Sequence, residues 1–340
     1  MTYASDSLSQ PRPRALAIWL LAVASIVFVM IVIGGITRLT ESGLSIVHWS
    51  PISGVIPPLD QAHWDAEFNA YKVTPEGRMN IAAGMTMEGF KQIFFWEYLH
   101  RQIGRLIGLS MLLPLLWFAW KRAIPQGYLP RLVALFALVV FQGTIGWWMV
   151  ASGLVDRPDV SHIRLAVHLL TALFFFGGLI WTALDLLSPN PPARMTGMAV
   201  AVLGIFAIQL LLGAFTAGLD AGFAFASWPL MGDRVFPEGG WNQALGMIAN
   251  LVDNPVVVQF VHRWWAWVAA IAALLLVRRV RASLEVAPLL VGTLLIAQIA
   301  LGIATLLTGV DIVIAVAHQA VAALLLAALV LCAHRLGSAR

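Results

Sequence analysis

Residues 97–105 read EYLHRQIGR, and the chain then runs on as LIGLSMLLPLLWFAW to Trp120. An acid, a histidine and two arginines head a stretch long enough to cross a lipid bilayer. A second stretch is built the same way: QFVHRWWAW (259–267) leads into another apolar run. The apolar runs call for membrane helices, and their polar heads call for a chemical reason.

The composition supports the membrane reading. Hydrophobic residues make up 60% of the chain and charged residues 11%, where a soluble domain carries about a quarter. Eight apolar runs are read at 15–36, 96–120, 132–152, 163–187, 198–218, 256–277, 286–308 and 312–333. Each matches about 30 Å of hydrocarbon at about 1.5 Å per residue. Helices must fill them, because unpaired backbone groups find no partner in lipid. The first run is too long for a signal-peptide core and lacks a small-residue cleavage site. The single cysteine, Cys332, excludes an internal disulfide.

Basic residues set the orientation. With both termini in the cytoplasm, that side holds Arg12, Arg14, Lys121, Arg122, Arg131, Arg194, Arg278, Arg279, Arg281, Arg335 and Arg340 against Asp6, Asp185 and Glu285. The balance is +8 inside and −4 outside, so the basic excess is a topology signal and no nucleic-acid patch.

The chain also repeats itself. GGITRLTESGLSIVHWS (34–50) aligns without a gap to GAFTAGLDAGFAFASWP (213–229), so that Gly34 meets Gly213 and Glu41 meets Asp220. EYLHR aligns to QFVHR, FQGTIGWWMVASGL (141–154) to AQIALGIATLLTGV (297–310), and HLLTALFFFG (168–177) to HQAVAALLLA (318–327). The four matches keep one order, and each half holds four runs. An even number of crossings returns the chain to its starting side. The expected fold is therefore all-α and integral to the membrane: two tandem four-helix bundles, 1–190 and 191–340, related by a pseudo-two-fold axis along the membrane normal. SPNPPARM (188–195) is the linker. The long first outer loop, 37–95, has no repeat partner of equal length and is expected to cover the bundle as a lid. His48 and His63 within it are expected to be solvated.

Four histidines, His100, His168, His262 and His318, fall on the second and fourth run of each half, one to two turns below the outer surface. Polar side chains at that depth face the bundle interior or pair with something. Two histidines without carboxylate or thiolate companions are too few for a closed zinc site. A haem iron, already held by four macrocycle nitrogens, needs two axial ligands from facing helices. Gly104, Gly108, Gly146 and Gly302 would leave room for the ring. Arg101 and Arg263 each follow a histidine and can grip a haem propionate, with Arg105 and Arg164 as further candidates. Snorkelling to the interface is the other reading of these arginines. The halves differ at one place: Glu97 stands one turn above His100, where the second half has Gln259. Glu97 either pairs with Arg101 or acts beside a reacting haem, as a proton shuttle or a stabiliser of positive charge.

EYLHR, HLLTAL, VHRWWAW and AVAHQ in this order, with GGITRLTESGLSI ahead of them, resemble the haem A synthase family over essentially all eight runs. The likeness is to the proteobacterial and mitochondrial branch, which lacks the paired loop cysteines of the other branch. It implies oxidation of the methyl group of haem O to the formyl group of haem A, by two hydroxylations and loss of water. It implies a resident haem B on His262 and His318, substrate haem on His100 and His168, and Glu97 in the position of the family's essential glutamate. Expected partners are haem O, an electron donor, a haem O-producing farnesyltransferase, cytochrome oxidase assembly factors and the lipid of the cell inner membrane. A dihaem cytochrome b and a haem transporter or chaperone are the rival readings; the first does not account for the Glu97/Gln259 difference or the long first loop, and the second predicts that Glu97→Gln keeps full function.

Overall fold

The computed structural model describes residues 11–338 except Asp156. Asp6 and Arg340, which enter the charge balance above, lie outside the described residues. Apart from one isolated bridge, Met231 to Arg234, and two 3₁₀ turns, all described regular structure is α-helical. The helices are α1 (Pro13–Leu39), α2 (Gln61–Lys72), α3 (Pro75–Ala82), α4 (Met87–Trp120), α5 (Leu129–Val150), α6 (His162–Leu187), α7 (Gly197–Gly218), α8 (Met247–Asp253), α9 (Pro255–Val280), α10 (Ala287–Leu307) and α11 (Ile312–Ser338). Eight of them, α1, α4, α5, α6, α7, α9, α10 and α11, are long and apolar enough to cross a membrane.

These eight match the eight apolar runs, but α4 starts nine residues before the run at 96–120. Residues 87–95 carry Glu88, Lys91 and Gln92, which lower their hydropathy. Thr86 nonetheless caps the helix by accepting the Gly89 N–H at 3.3 Å. Phe90 and Phe94 on that extension are buried against Phe68 and Tyr71 of α2. His100 consequently sits more than three turns into its helix.

Packing falls into two groups. Helix α1 packs on α4 and α6, and α5 packs on α4 and α6, around a core that includes Leu20, Met111, Leu132, Phe176 and Leu179. Helices α7, α9, α10 and α11 surround a second core with Phe206, Ala273, Leu276, Val291 and Leu329. Cys332 is packed in this second core and fully buried. The seam between the groups is made by α1 and α6 on one side and α7 and α11 on the other. Lipid is as apolar as leucine, so directional bonds and close fit hold membrane helices together. Gln319 Nε2 of α11 donates to the Ile31 carbonyl of α1 at 2.7 Å, and Gly35 of α1 leaves the room that this side chain needs. Near the termini, Asp185 of α6 accepts from Arg131 of α5 at 2.5 Å, from His334 of α11 at 2.9 Å and from the Ala193 N–H of the linker at 2.8 Å. At the opposite end Arg38 binds both carboxylate oxygens of Asp220, at 2.9 and 3.0 Å.

The long loop after α1 is more ordered than its lack of apolar runs implies. It folds into α2 and α3 and is stitched to α4: Tyr98 donates to the Val55 carbonyl at 2.6 Å, Gln102 to the Gly54 carbonyl at 3.2 Å and Arg105 to the Pro51 carbonyl at 2.9 Å.

Candidate functional site

Each of the four singled-out histidines comes from a helix that begins on the side of the long loop: His100 from α4, His168 from α6, His262 from α9 and His318 from α11. His168 is close enough for its charge to reach His100, and that of His318 reaches His262. In the first group, α4 and α6 occupy opposite corners of the ring α1–α4–α5–α6, so their histidines face one another across its middle. In the second group α9 and α11 touch directly. All four rings have protein around them and remain half-buried.

Every ring rests on a glycine of a neighbouring helix. A Cβ added to Gly34 of α1 would lie 3.2 Å from His100 Cε1, and one on Gly213 of α7 would lie 3.2 Å from His262 Cε1. The corresponding distances are 3.0 Å from Gly146 of α5 to His168 and 2.8 Å from Gly302 of α10 to His318. Gly34 and Gly213 are aligned in the repeat, as are Gly146 and Gly302. Gly146 and Gly302 are thus among the expected residues, whereas Gly104 and Gly108 meet only Met30 and Val139 at ordinary contact distance.

Glutamines add a further layer that the composition did not single out. Gln142 Nε2 lies 3.2 Å from His168 Nδ1, Gln209 Nε2 3.2 Å from His262 Nδ1, and Gln298 Nε2 3.4 Å from His318 Nε2. Gln142 and Gln298 align in the repeat, one turn before Gly146 and Gly302, and that shared spacing was the available signal. Gln209 aligns with Met30, so His100 has no amide neighbour, and its Nδ1 is buried without a partner.

The arginines beside the histidines bind loop carbonyls. Arg101 donates from Nη2 to the Ile46 carbonyl at 2.8 Å and from Nη1 to the His48 carbonyl at 3.2 Å. Arg263 donates from Nη2 to the Phe225 carbonyl at 2.8 Å and from Nη1 to the Ser227 carbonyl at 2.8 Å. The alignment pairs Ile46 with Phe225 and His48 with Ser227, so the two arginines pin equivalent turns of the two loops. Arg263 Nε and Arg105 Nη1 are buried donors left free, as is Arg38 Nε. Arg164 lies over the Trp148 ring and donates to the Trp148 carbonyl at 2.7 Å. His48 is exposed, and His63 is an exposed partner of Asp60 at 2.7 Å.

Glu97 is buried and is the acceptor of four hydrogen bonds. They come from Ser45 Oγ and Ile46 N–H, both at 2.7 Å, and from Arg101 Nη2 and Nε at 2.6 and 3.1 Å. Glu97 therefore makes the expected ion pair with Arg101 and also holds the loop at Ser45 and Ile46. Gln259 takes the same place with opposite polarity, since its Nε2 donates to the Phe225 and Gly222 carbonyls at 3.1 and 3.3 Å. A carboxylate saturated with fixed donors is suited to hold a stationary negative charge.

These residues fit a haem. Each histidine couple comes from two helices of one packing group, each ring has a glycine bed that excludes a side chain, and His100 and His318 keep a buried Nδ1 with no partner. Among the described residues no group of three or more His, Cys, Asp or Glu is gathered to hold a bare metal ion.

Residues 17–330 match the COX15-CtaA family, described as cytochrome oxidase assembly protein. The chain is 58% identical over 340 residues to a protein of Rhizorhabdus wittichii named "Heme A synthase", covering 98% of this chain and 97% of that one. It is 54% identical to the protein of that name from Sphingopyxis alaskensis, over 98% of this chain and 95% of the relative. A third relative of the same name, from Rhodospirillum centenum, is 45% identical over 98% of this chain and 91% of its own.

Proposed function

Because this chain belongs to the COX15-CtaA family of cytochrome oxidase assembly proteins, we propose that it is a haem A synthase, an oxidoreductase that converts the methyl group of haem O into the formyl group of haem A. Two successive hydroxylations give a geminal diol, which loses water. The reading is supported by relatives of that name over nearly the whole chain and by the two histidine couples.

His262 and His318 hold a resident haem B in the half 191–340, and His100 and His168 receive the iron of substrate haem O in the half 1–190. Bound haem supplies one-electron and oxygen chemistry that no side chain performs. The protein's part is placement and electrostatics. Gly213 and Gly302 let the His262 and His318 rings stand close to their neighbouring helices, and Gln209 and Gln298 orient them. In the other half Gly34 and Gly146 serve His100 and His168. Arg101 and Arg263 lock the loop turns over the two sites, and Arg105 Nη1 and Arg263 Nε are donors free to meet propionates. Glu97 presents a fixed negative charge, held by Ser45, Ile46 and Arg101, where positive charge develops during oxidation of the methyl carbon. The protein lies in the cell inner membrane with both termini in the cytoplasm. Its haem O arrives laterally through lipid from a farnesyltransferase, and haem A leaves to cytochrome oxidase assembly factors.

The observation that carries the reading is the exchange of Glu97 for Gln259: one half has a carboxylate beside its histidine couple where the other has an amide. The test is co-expression with a haem O source in a host without haem A, followed by pigment extraction and mass analysis. Wild type yields the formyl product, and Glu97→Gln retains haem B but yields none. Unchanged haem O with wild type would make the protein an electron carrier. Full product from Glu97→Gln would reduce Glu97 to a structural partner of Arg101.

A further inference from the structure

The lid buries a second carboxyl group close to Glu97. Glu76 stands in the first turn of α3 and is only 7% exposed. Its position is fixed locally. Thr74 caps the helix by accepting the Gly77 N–H at 3.0 Å while donating to the Tyr71 carbonyl at 2.8 Å. Pro75 begins the helix, and Gly77 lies so close to the Tyr71 carbonyl that no side chain fits there. Both Glu76 carboxyl oxygens are buried and neither has a hydrogen-bond partner. The groups that face it are the Tyr71 phenol of α2, Glu97 of α4, Glu41 in the turn after α1 and Asp159 in the turn before α6. Tyr71 is itself fully buried, and its hydroxyl accepts from Asn80 at 2.7 Å.

The contrast with Glu97 is the informative point. Glu97 is ringed by donors, including a guanidinium. Glu76 instead faces the Tyr71 phenol and the carboxylates of Glu97, Glu41 and Asp159. Burial first, then the charges of Glu97, Glu41 and Asp159, push its carboxyl up to about 8. A carboxyl group pushed up by burial and by neighbouring charge is suited to act as an acid. Hydroxylation of a methyl group by molecular oxygen consumes protons as the second oxygen atom leaves as water, so such a site needs a proton supply.

Resting on the haem A synthase reading, we propose that Glu76 is the proton-delivery group of the amino-terminal site, carrying protons from the aqueous phase outside the lid to water in the mouth of the substrate slot beside Glu97. In the step, the Glu76 O–H bond breaks and the proton passes to a slot water. The Glu76 carboxylate then takes a proton from hydronium on the outer side. The sum is one proton moved from outer water to slot water, with no change in Glu76. Glu76 acts through water and is a positioning residue for the proton; it touches neither iron nor methyl group. Among the described residues the outer loop after α7 carries the short helix α8 and no buried carboxyl group, in keeping with a site that passes electrons and needs no such supply.

The test uses full-length protein in membranes with a haem O source and follows initial haem A formation against pH. Wild-type rate falls as pH rises through about 8, where the Glu76 proton is lost. Glu76→Gln keeps haem B and is slowed roughly 10²-fold, the usual size of a proton-transfer contribution, and that pH limb disappears. Glu76→Asp restores part of the rate, and Glu76→Ala recovers with added formate, a small acid able to enter the space left. Infrared spectra of wild type at neutral pH show the carbonyl stretch of a protonated carboxylic acid that Glu76→Gln lacks. Asp65→Asn, on the exposed face of α2, leaves rate and profile unchanged. A wild-type rate and pH limb in Glu76→Gln would overturn the proposal. So would a slow Glu76→Ala that formate does not revive, which would mark Glu76 as structural. Absence of haem A from wild type itself would instead refute the enzyme reading.

Discussion

Gly302→Ala puts the glycine beds to a quantitative test. The new Cβ would stand 2.8 Å from His318 Cε1, where ordinary contact starts at 3.4 Å, so the ring must retreat by 0.6 Å. Gln298, on the same helix as Gly302, holds the ring on that side, with Nε2 3.4 Å from His318 Nε2. Gly213→Ala asks less: its Cβ would be 3.2 Å from His262 Cε1, a retreat of 0.2 Å. Metal–ligand distances are held within about 0.2 Å. Gly302→Ala therefore exceeds the tolerance and Gly213→Ala stays at its edge. Overpacking a well-filled site costs about 1–3 kcal/mol. At about 1.4 kcal/mol per factor of ten, haem retention falls roughly 5- to 150-fold in Gly302→Ala, and Gly213→Ala lies at or below the lower limit. The assay is haem per polypeptide, from pyridine haemochrome absorbance of protein purified and titrated with haem B. Gly292→Ala, on the same helix with nothing near its Cβ, is the control and keeps the wild-type ratio. Equal retention in Gly302→Ala and Gly292→Ala would refute the glycine-bed argument. A larger loss in Gly213→Ala than in Gly302→Ala would refute the distance ranking.

Further outcomes follow from the same geometry. His262→Ala or His318→Ala strips co-purifying haem B, read from the absorption spectrum, whereas His100→Ala keeps it and abolishes product; haem content unaltered in the first two would remove that couple as its ligands. Asp185→Asn weakens charge-assisted bonds to Arg131 and His334 and lowers stability in detergent by about 3 kcal/mol, as breaking a buried pair does; an unshifted melting temperature would count against the clasp. Glu76 binds its proton more tightly folded than unfolded, so the lid loses stability as pH rises from the model-peptide value of 4.5 to about 8 and holds steady above. At about 1.4 kcal/mol per pH unit the loss is at most about 5 kcal/mol. Limited proteolysis of 40–86 should accelerate over that window in wild type and stay flat in Glu76→Gln; equal pH slopes would show that Glu76 does not titrate there.

The lid shows where hydropathy stops being informative. Residues 87–95 belong to α4, although their polar residues hide them from a bilayer-length reading, because Thr86 caps the helix and α2 covers Phe90 and Phe94. Glu76 gave no signal in the chain either. Nothing near it in sequence is acidic enough to draw attention, and its neighbours Glu41, Glu97 and Asp159 arrive from three other segments. Arg101 and Arg263 were singled out correctly as a matched pair, yet their partners are loop carbonyls whose position depends on how each loop folds back.

The eight apolar runs, the four histidines, the internal alignment and the Glu97/Gln259 exchange are all written in the linear chain. Lipid enforces a simple length rule, and a costly polar residue within a run is visible by its rarity. Which atoms meet across helices is decided only when the chain packs. A glycine becomes a bed for an imidazole, and a lid carboxyl becomes unpartnered, through the approach of segments far apart in sequence. Such contacts depend on tenths of an ångström that no residue pattern carries.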